Sequence, residues 1–178
     1  MAILESDGWK YYAEFVKAYA PNAAGQTLNE DPNLTVFQLD NAPLINNIPG
    51  LGNASSNQIL LPQDLEYEIE AETILTSASS YSFNIYGLIW DATLSDRIGY
   101  GKIKNAASGA VGASLHAYAR TLKLSANKLI EFKALKIGHG PAASDVSVTN
   151  NFSGGAALTF TNSTAGLEIR TSIKIKAK

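Results

Sequence analysis

Leu65-Glu66-Tyr67-Glu68-Ile69-Glu70-Ala71-Glu72-Thr73-Ile74-Leu75 decides how the rest of the chain is read. From Glu66 to Glu72 the alternation is complete. Glu66, Glu68, Glu70 and Glu72 share one parity, and Tyr67, Ile69 and Ala71 share the other. Successive side chains on a strand point to opposite sides, so the segment has a carboxylate face and an apolar face. A helix would scatter both sets around its circumference. The segment reads as a β-strand, preceded by a turn at Gln63-Asp64, and the remaining sequence must supply its partners.

The next clearest stretch lies at the other end of the sequence. Leu167, Ile169, Thr171, Ile173 and Ile175 alternate with Glu168, Arg170, Ser172, Lys174 and Lys176. We expect this strand to lie antiparallel beside the glutamate strand, with its basic ladder against the carboxylates. Cross-strand pairs of opposite charge contribute roughly 0.2–1 kcal/mol each, and aligned carboxylates without cations would repel. Glu66, Glu68, Glu70, Glu72, Arg170, Lys174 and Lys176 are therefore candidate subunit-interface residues, with a solvated sheet face as the plainer reading.

Between these strands the same period recurs. Leu34 to Leu39, Tyr81 to Trp90, Ala113 to Leu124 and Lys128 to Ile137 read as strands, with shorter ones at 96–100, 146–148 and 157–161. Ser125-Ala126-Asn127 reads as the tight turn of a hairpin joining 113–124 to 128–137. Residues 40–58, with Pro43, Pro49, Gly50 and Gly52, form a long loop, and 101–112 and 138–145 are Gly- and Ala-rich loops. Many short strands separated by turn signals indicate an all-β sandwich or barrel, and eight strands in two sheets is the jelly-roll number.

Ahead of the first of these strands, residues 6–20 fit two patterns. Trp9, Tyr12, Val16 and Tyr19 follow helical spacing, with Ser6 or Asp7 as cap and Pro21 as terminator. Trp9, Tyr11, Ala13 and Phe15 also alternate as on a strand. A short helix is the expectation taken here. Trp9, Tyr12, Phe15 and Tyr19 then make a candidate docking arm, and the chain divides into an arm and linker over 1–33 and a sandwich over 34–178.

Composition narrows the function. The chain has 178 residues, 46% hydrophobic and 17% charged, with a net charge of −2 and no cysteine. One domain with a sizeable core is the default. The charge gives no reason to expect a nucleic-acid partner. Thiolate metal sites and disulfides are excluded. The opening residues lack the basic and apolar regions of a signal peptide, and no apolar run approaches the roughly 20 residues that span a bilayer, so no membrane partner is expected. The glycosylation sequons at Asn33, Asn53, Asn151 and Asn162 read as chance in a chain rich in Asn, Ser and Thr.

Catalytic and metal signatures are thin. His116 and His139 have no zinc spacing. No nucleophile elbow is present, and Gly99-Tyr100-Gly101 lacks the following helix of a dinucleotide site. The glutamate row invites a glycosidase reading, but a strand's polar side explains it more simply. Asp91 and Asp96 flank a turn too sparsely acidic for a convincing calcium site. We expect no enzyme and no cofactor.

Phe37-Gln38-Leu39-Asp40, Asn46-Asn47-Ile48-Pro49-Gly50, Ser56-Asn57-Gln58-Ile59-Leu60-Leu61-Pro62, Tyr67-Glu68-Ile69-Glu70-Ala71, the run from Ala119 to Phe132 and the closing strand Leu167 to Ile175 appear in an informative order. Together, over roughly residues 35–178, they resemble a TNF-like, complement-globular-head-like jelly-roll domain of bacteriophage structural proteins. The chain departs from that pattern in its Gln63-Asp64-Leu65 turn, where the family has a Gly-containing one, and in residues 1–34, which match nothing in it. The resemblance implies a two-sheet antiparallel sandwich and a homotrimer with inner sheets around a three-fold axis. It implies a virion component, with the major capsid protein or other virion proteins as partners, assembled in the host cytoplasm and carried on the particle surface. Since the chain has no shaft, heptads or repeats, a capsid decoration (cement) protein is the first expectation. The alternative is a receptor-binding tail-fibre or tail-tip head that contacts a host surface glycan or protein through the loops at 101–112 and 138–156.

Overall fold

The computed structural model describes residues 8–19, 26–27, 34–77, 83–101, 104–106, 113–137, 146–148, 151–152, 156–157 and 168–178. The expectations for the leader, the 107–112 and 138–145 loops, His139, Asn33, Asn162 and the strand at 158–161 lie outside these residues. Every regular element among the described residues is a strand: β1 (Tyr11–Tyr19), β2 (Gln26–Thr27), β3 (Thr35–Val36), β4 (Ile45–Asn46), β5 (Gly52–Ser55), β6 (Gln58–Leu61), β7 (Tyr67–Ser77), β8 (Phe83–Asp91), β9 (Asp96–Tyr100), β10 (Lys104–Ala106), β11 (Ala113–Arg120), β12 (Lys128–Ile137), β13 (Val146–Val148), β14 (Asn151–Phe152), β15 (Ala156–Ala157) and β16 (Glu168–Ala177).

One layer runs β4-β1-β16-β7-β11 and the other β9-β8-β12-β6-β5. The register pair Tyr118 with Tyr100 joins β11 to β9 at the seam. Taking β1, β6, β7, β8, β9, β11, β12 and β16 as strands one to eight, the layers read 1-8-3-6 and 5-4-7-2. That order is the jelly roll, two interlocked Greek keys closed into an antiparallel sandwich.

The core lies where the apolar parities of the two layers meet. Phe15, Tyr67, Ile69, Leu115, Ile173 and Ile175 come from the first layer, and Ile59, Leu61, Ile85, Ile89, Ile130 and Phe132 from the second. The rings of Phe37 and Phe132 sit 4.6 Å apart at a 42° tilt. Polar groups drawn inside find partners, although Asn53 Oδ1 is buried without one. The hydroxyls of Thr73 and Thr171 share a 2.9 Å hydrogen bond, and the Tyr67 hydroxyl donates to the Pro62 carbonyl at 2.8 Å. Burial holds the Tyr67 phenol well above its ordinary pKa. At the seam the layers approach backbone to backbone. A Cβ on Gly87 would lie 2.6 Å from the His116 carbonyl oxygen, and one on Gly99 or Gly101 would collide with the carbonyl of Tyr118 or His116.

Four expectations are corrected. Residues 11–19 form a strand, not a helix, and pair antiparallel with β16 from Tyr11 opposite Ala177 to Tyr19 opposite Glu168. The two-residue period wins because it buries Ala13 and Phe15 against the core, which helical spacing would split. Phe15 is fully buried in its own sandwich, so it is not part of a docking arm, and β1 belongs with the sandwich and not with a separate arm over 1–33. The hairpin expected between 113–124 and 128–137 is also absent. β11 pairs with β7 and β9, whereas β12 pairs with β8, β6 and β3. The connection crosses between layers, held to the β6–β7 turn by Thr121 N–H donating to Tyr67 O and Leu124 N–H to Leu65 O. A short polar turn looks the same in sequence whether it folds back or crosses over.

The long loop after Leu39 explains how β1 is held. Asp40, Leu44 and Asn47 donate their backbone N–H groups to the carbonyls of Val16, Glu14 and Tyr12. Asn47 Oδ1 accepts from Tyr12 N–H at 2.6 Å, and Asp40 Oδ2 accepts from Ala18 N–H at 3.0 Å. Asp40 Oδ1 also pairs with Lys17 at 2.9 Å, beside the bulge between Lys17 and Ala18. Asn53 donates its Nδ2 to the Asp40 carbonyl at 2.8 Å, which makes this sequon asparagine part of the scaffold.

Replacing Phe15 by Ala is expected to destabilise the chain by about 3–5 kcal/mol, the cost of emptying a large aromatic site in a core. Urea unfolding measures it. A change under about 0.5 kcal/mol would mean that β1 contributes little to the sandwich.

Candidate functional site

The face of the first layer that points away from the core carries most of the charged residues singled out in the sequence. The register sets them in rows across β1, β16, β7 and β11. One row is Tyr12, Lys176, Glu68, Arg120; the next is Glu14, Lys174, Glu70, Tyr118; the third is Val16, Ser172, Glu72, His116. By strand, the charge alternates. β1 brings Glu14, β16 brings Lys174 and Lys176, β7 brings Glu68, Glu70 and Glu72, and β11 brings His116 and Arg120. The expected pairing of the glutamate strand with the closing strand is what the structure shows.

The contacts follow the rows. Lys176 Nζ lies 2.8 Å from Glu68 Oε1, and Lys178 Nζ lies 3.2 Å from Glu66 Oε2. The hydrogen bond from Lys176 is the main reason the Glu68 carboxyl stays below the usual carboxylate range. Partial burial opposes it, and the Lys176 charge, the Tyr118 hydroxyl and Arg120 assist it. Tyr118 donates to Glu68 Oε2 at 3.3 Å, and Tyr12 to Glu14 Oε2 at 3.2 Å. Burial first, then the charge of Glu14, pushes the Tyr12 phenol up to about 12. Two tyrosines thus flank the charged rows on the outer strands. At one end Trp9 lies beneath both Arg120 and Lys178, with ring centroid distances of 5.5 and 5.3 Å. This clasp ties the start of β1 to the end of β16 and to β11, so Trp9 packs on its own domain.

The site therefore gathers Glu66, Glu68, Glu70, Glu72, Lys174 and Lys176, with Tyr12 and Trp9 from the expected arm. Arg170 and Tyr19 are not placed in the site by a described side chain. Tyr19 is opposite Glu168 at the far end of β1, and the β1 bulge opposes Ile169 and Thr171 but skips Arg170; neither side chain is among those described. Sequence reasoning missed β11 as the second flank. Its alternation of His116, Tyr118 and Arg120 against Leu115, Ala117 and Ala119 was visible, but alternation does not name a neighbour.

Asp91, considered above as a thin calcium ligand, has a structural role. It is fully buried, accepts the N–H groups of Thr93 and Leu94 at 2.9 and 3.2 Å, and pairs with Lys128. Burial pushes its carboxyl up, but the bond from Lys128, those from the two backbone N–H groups and the Lys128 charge outweigh it and leave the pKa lowered. On the outer side of the second layer, Glu131 pairs with Lys133 at 2.8 Å and accepts from Gln58 at 2.8 Å, while Lys133 covers the Trp90 ring at 4.6 Å.

No protein-family model matches the chain. No curated protein matches it either. Among solved structures it is similar to murine APRIL. The form at pH 5.0 is 11% identical with a TM-score of 0.48, and the form at pH 8.0 is 12% identical with a TM-score of 0.49. A third, at pH 8.5, is 12% identical with a TM-score of 0.46. Each comparison covers 93% of this chain and 98% of the other. At this identity the likeness concerns fold alone, and the jelly-roll assignment stands on the strand order.

Glu68 and Asp91 both have folded pKa values below their unfolded ones. Each therefore adds stability that is complete above the unfolded carboxylate pKa, near 4, and is lost as pH falls through the folded value. Urea titrations at intervals between pH 6 and pH 2.5 are expected to show this acid limb, and Glu68→Gln is expected to flatten it. An unchanged limb in Glu68→Gln would remove Glu68 as a source. Asp91→Ala is expected to cost about 3 kcal/mol at pH 7, because it strips Lys128 and two backbone N–H groups of their partner. Thermal and urea unfolding check it, and a loss below about 1 kcal/mol would contradict the structural role.

Proposed function

We propose that this chain is a non-enzymatic virion structural protein that associates with copies of itself, as a homotrimer, through the outer face of its first layer, and decorates a capsid surface. The observation that carries the self-association is the alternation of charge by strand. On that face β1 carries the carboxylate Glu14, β16 carries Lys174 and Lys176, β7 carries Glu68, Glu70 and Glu72, and β11 carries Arg120 and His116, so a head-to-tail contact sets the β11 side of one copy beside the Glu14 of the next. The alternation then continues across the junction, and a heterologous contact of this kind closes into a ring when the rotation permits. Tyr118, 46% exposed on β11, and Leu44 and Ile45, 57% and 51% exposed beside β1, give those opposite edges apolar surface to cover.

The non-enzymatic part of the reading draws support from the state of the carboxylates. A glycosidase needs one carboxyl with a raised pKa to serve as acid. Here Glu68 is held low by Lys176, and Glu66 is tied to Lys178. The virion role and a particle-surface location rest on the ordered resemblance over residues 35–178. The major capsid protein is the partner that this role implies.

Sedimentation of the purified chain is expected to give three times the monomer mass, and Glu70→Lys, which puts a cation beside Lys174, is expected to weaken association at least ten-fold. A Glu70→Lys protein that assembled like the wild type would remove this face as the interface. Binding to empty undecorated capsids and to host cells is then measured in parallel. Saturable capsid binding without cell binding is the expected result; cell binding alone would make the chain a receptor-binding head.

A further inference from the structure

We infer that His116 makes the self-association of this chain proton-dependent, its protonated imidazole supplying the cation that Glu72 needs once the β1 side of a second copy packs beside β11. The inference rests on the self-association reading above and concerns the regulation of that same face.

The rows differ in one respect. Glu68 faces Lys176 on β16 and Arg120 on β11, and Glu70 faces Lys174. Glu66 is paired with Lys178. Glu72 instead faces Ser172 on β16 and His116 on β11, with His116 Nε2 3.4 Å from Glu72 Oε1. Among the described side chains, the stripe of carboxylates therefore has permanent cations along most of its length and a titratable one at its end.

The other groups around His116 do not substitute for it. On its own strand Ser114 and Tyr118 are the neighbours on that face, and the Tyr118 hydroxyl is directed to Glu68. On β7, Glu70 is the next carboxylate, opposite Tyr118. On the seam side the backbone of Gly87 and Gly101 lies against the His116 carbonyl, and Lys104 of β10 stands opposite Ile85. Arg170 is the next residue on the outer parity of β16 beyond Ser172. The side chains of Lys104 and Arg170 are outside those described, and both carry fixed charge, so neither titrates across the range in which an imidazole does.

In a single copy the His116 and Glu72 side chains are 62% and 44% exposed. Water then solvates Glu72 whether or not the imidazole is charged, and an exposed pair of this kind contributes little. A second copy packed beside β11 displaces water around His116 and the neighbouring Glu72. An uncompensated carboxylate becomes costly there, whereas a carboxylate beside an imidazolium is balanced. The assembled form thus gains from a proton that the single copy does not need, and association strengthens on mild acidification.

The test is sedimentation velocity of the full chain at pH 7.5 and pH 5.8, a window above the ordinary carboxylate titrations. Wild type is expected to associate about five- to ten-fold more tightly at pH 5.8. His116→Gln is expected to lose that dependence and to keep the weaker association, and His116→Lys to lose it while keeping the tighter one. Arg170→Gln is expected to retain the wild-type dependence. A His116→Gln protein with the full pH response, or association that weakens on acidification, would overturn the inference. Wild type that assembles equally well at both pH values would overturn it while leaving the interface intact. A wild type that is monomeric at both would remove the interface and this inference with it.

Discussion

The pairing of β7 with β16 is the constraint on which the remaining structure depends. Each strand is two-faced, and their register must serve both faces at once. Ile69 opposite Ile175 and Ala71 opposite Ile173 fill the core, while Glu68 opposite Lys176 and Glu70 opposite Lys174 neutralise the exterior. A slip of one residue would bury carboxylates and expose isoleucines together. A slip of two would keep the parity but shift the charged pairs. The apolar core therefore fixes which face is inside, and the charges fix where along the strand the pairing settles. β1 then adds to β16 and β11 to β7, each extending both the core and the alternating exterior.

This division of labour explains what could be seen in the sequence. The two-residue periods of 66–75 and 167–176 are long enough to fix strand identity, facing and even partnership, because opposite charges at matched parity have few other places to go. Period alone was less informative over 9–19, where aromatic residues satisfied the helical and extended spacings equally. The choice there was made by β16, which lies more than 140 residues later and needed a neighbour on its second side. The crossing of 121–127 between layers was similarly invisible. Its local sequence specifies a reversal of direction, and only the burial of Leu124 and the bonds to Leu65 and Tyr67 select the other layer. The candidate site was half legible for the same reason. Charge pairing named β7 and β16, but nothing local told β11 or β1 which strand to join.

The buried ion pairs complete the picture of a fold that places charge with care. Asp91 with Lys128 fixes the β8–β9 turn to the start of β12, and Glu131 with Lys133 lies beside Trp90 on the outer side of the same layer. Such pairs are seldom strong sources of net stability, since desolvation consumes much of the attraction. Their value lies in geometry. Each holds a turn or a strand face in one arrangement and penalises alternatives that would leave a charge alone.

The loop from Asp40 to Asn47 has a consequence for what kind of contact this molecule makes. By occupying the backbone groups along the free side of β1, it removes the template on which another chain's strand would otherwise be added. Main-chain recognition is nearly blind to sequence, because every peptide group offers the same donor and acceptor. With that route shut on β1, recognition there falls to side chains. A surface of that kind is sensitive to ionic strength and is re-specified by single codon changes, so partner choice can drift or sharpen in evolution without any strand of the scaffold moving.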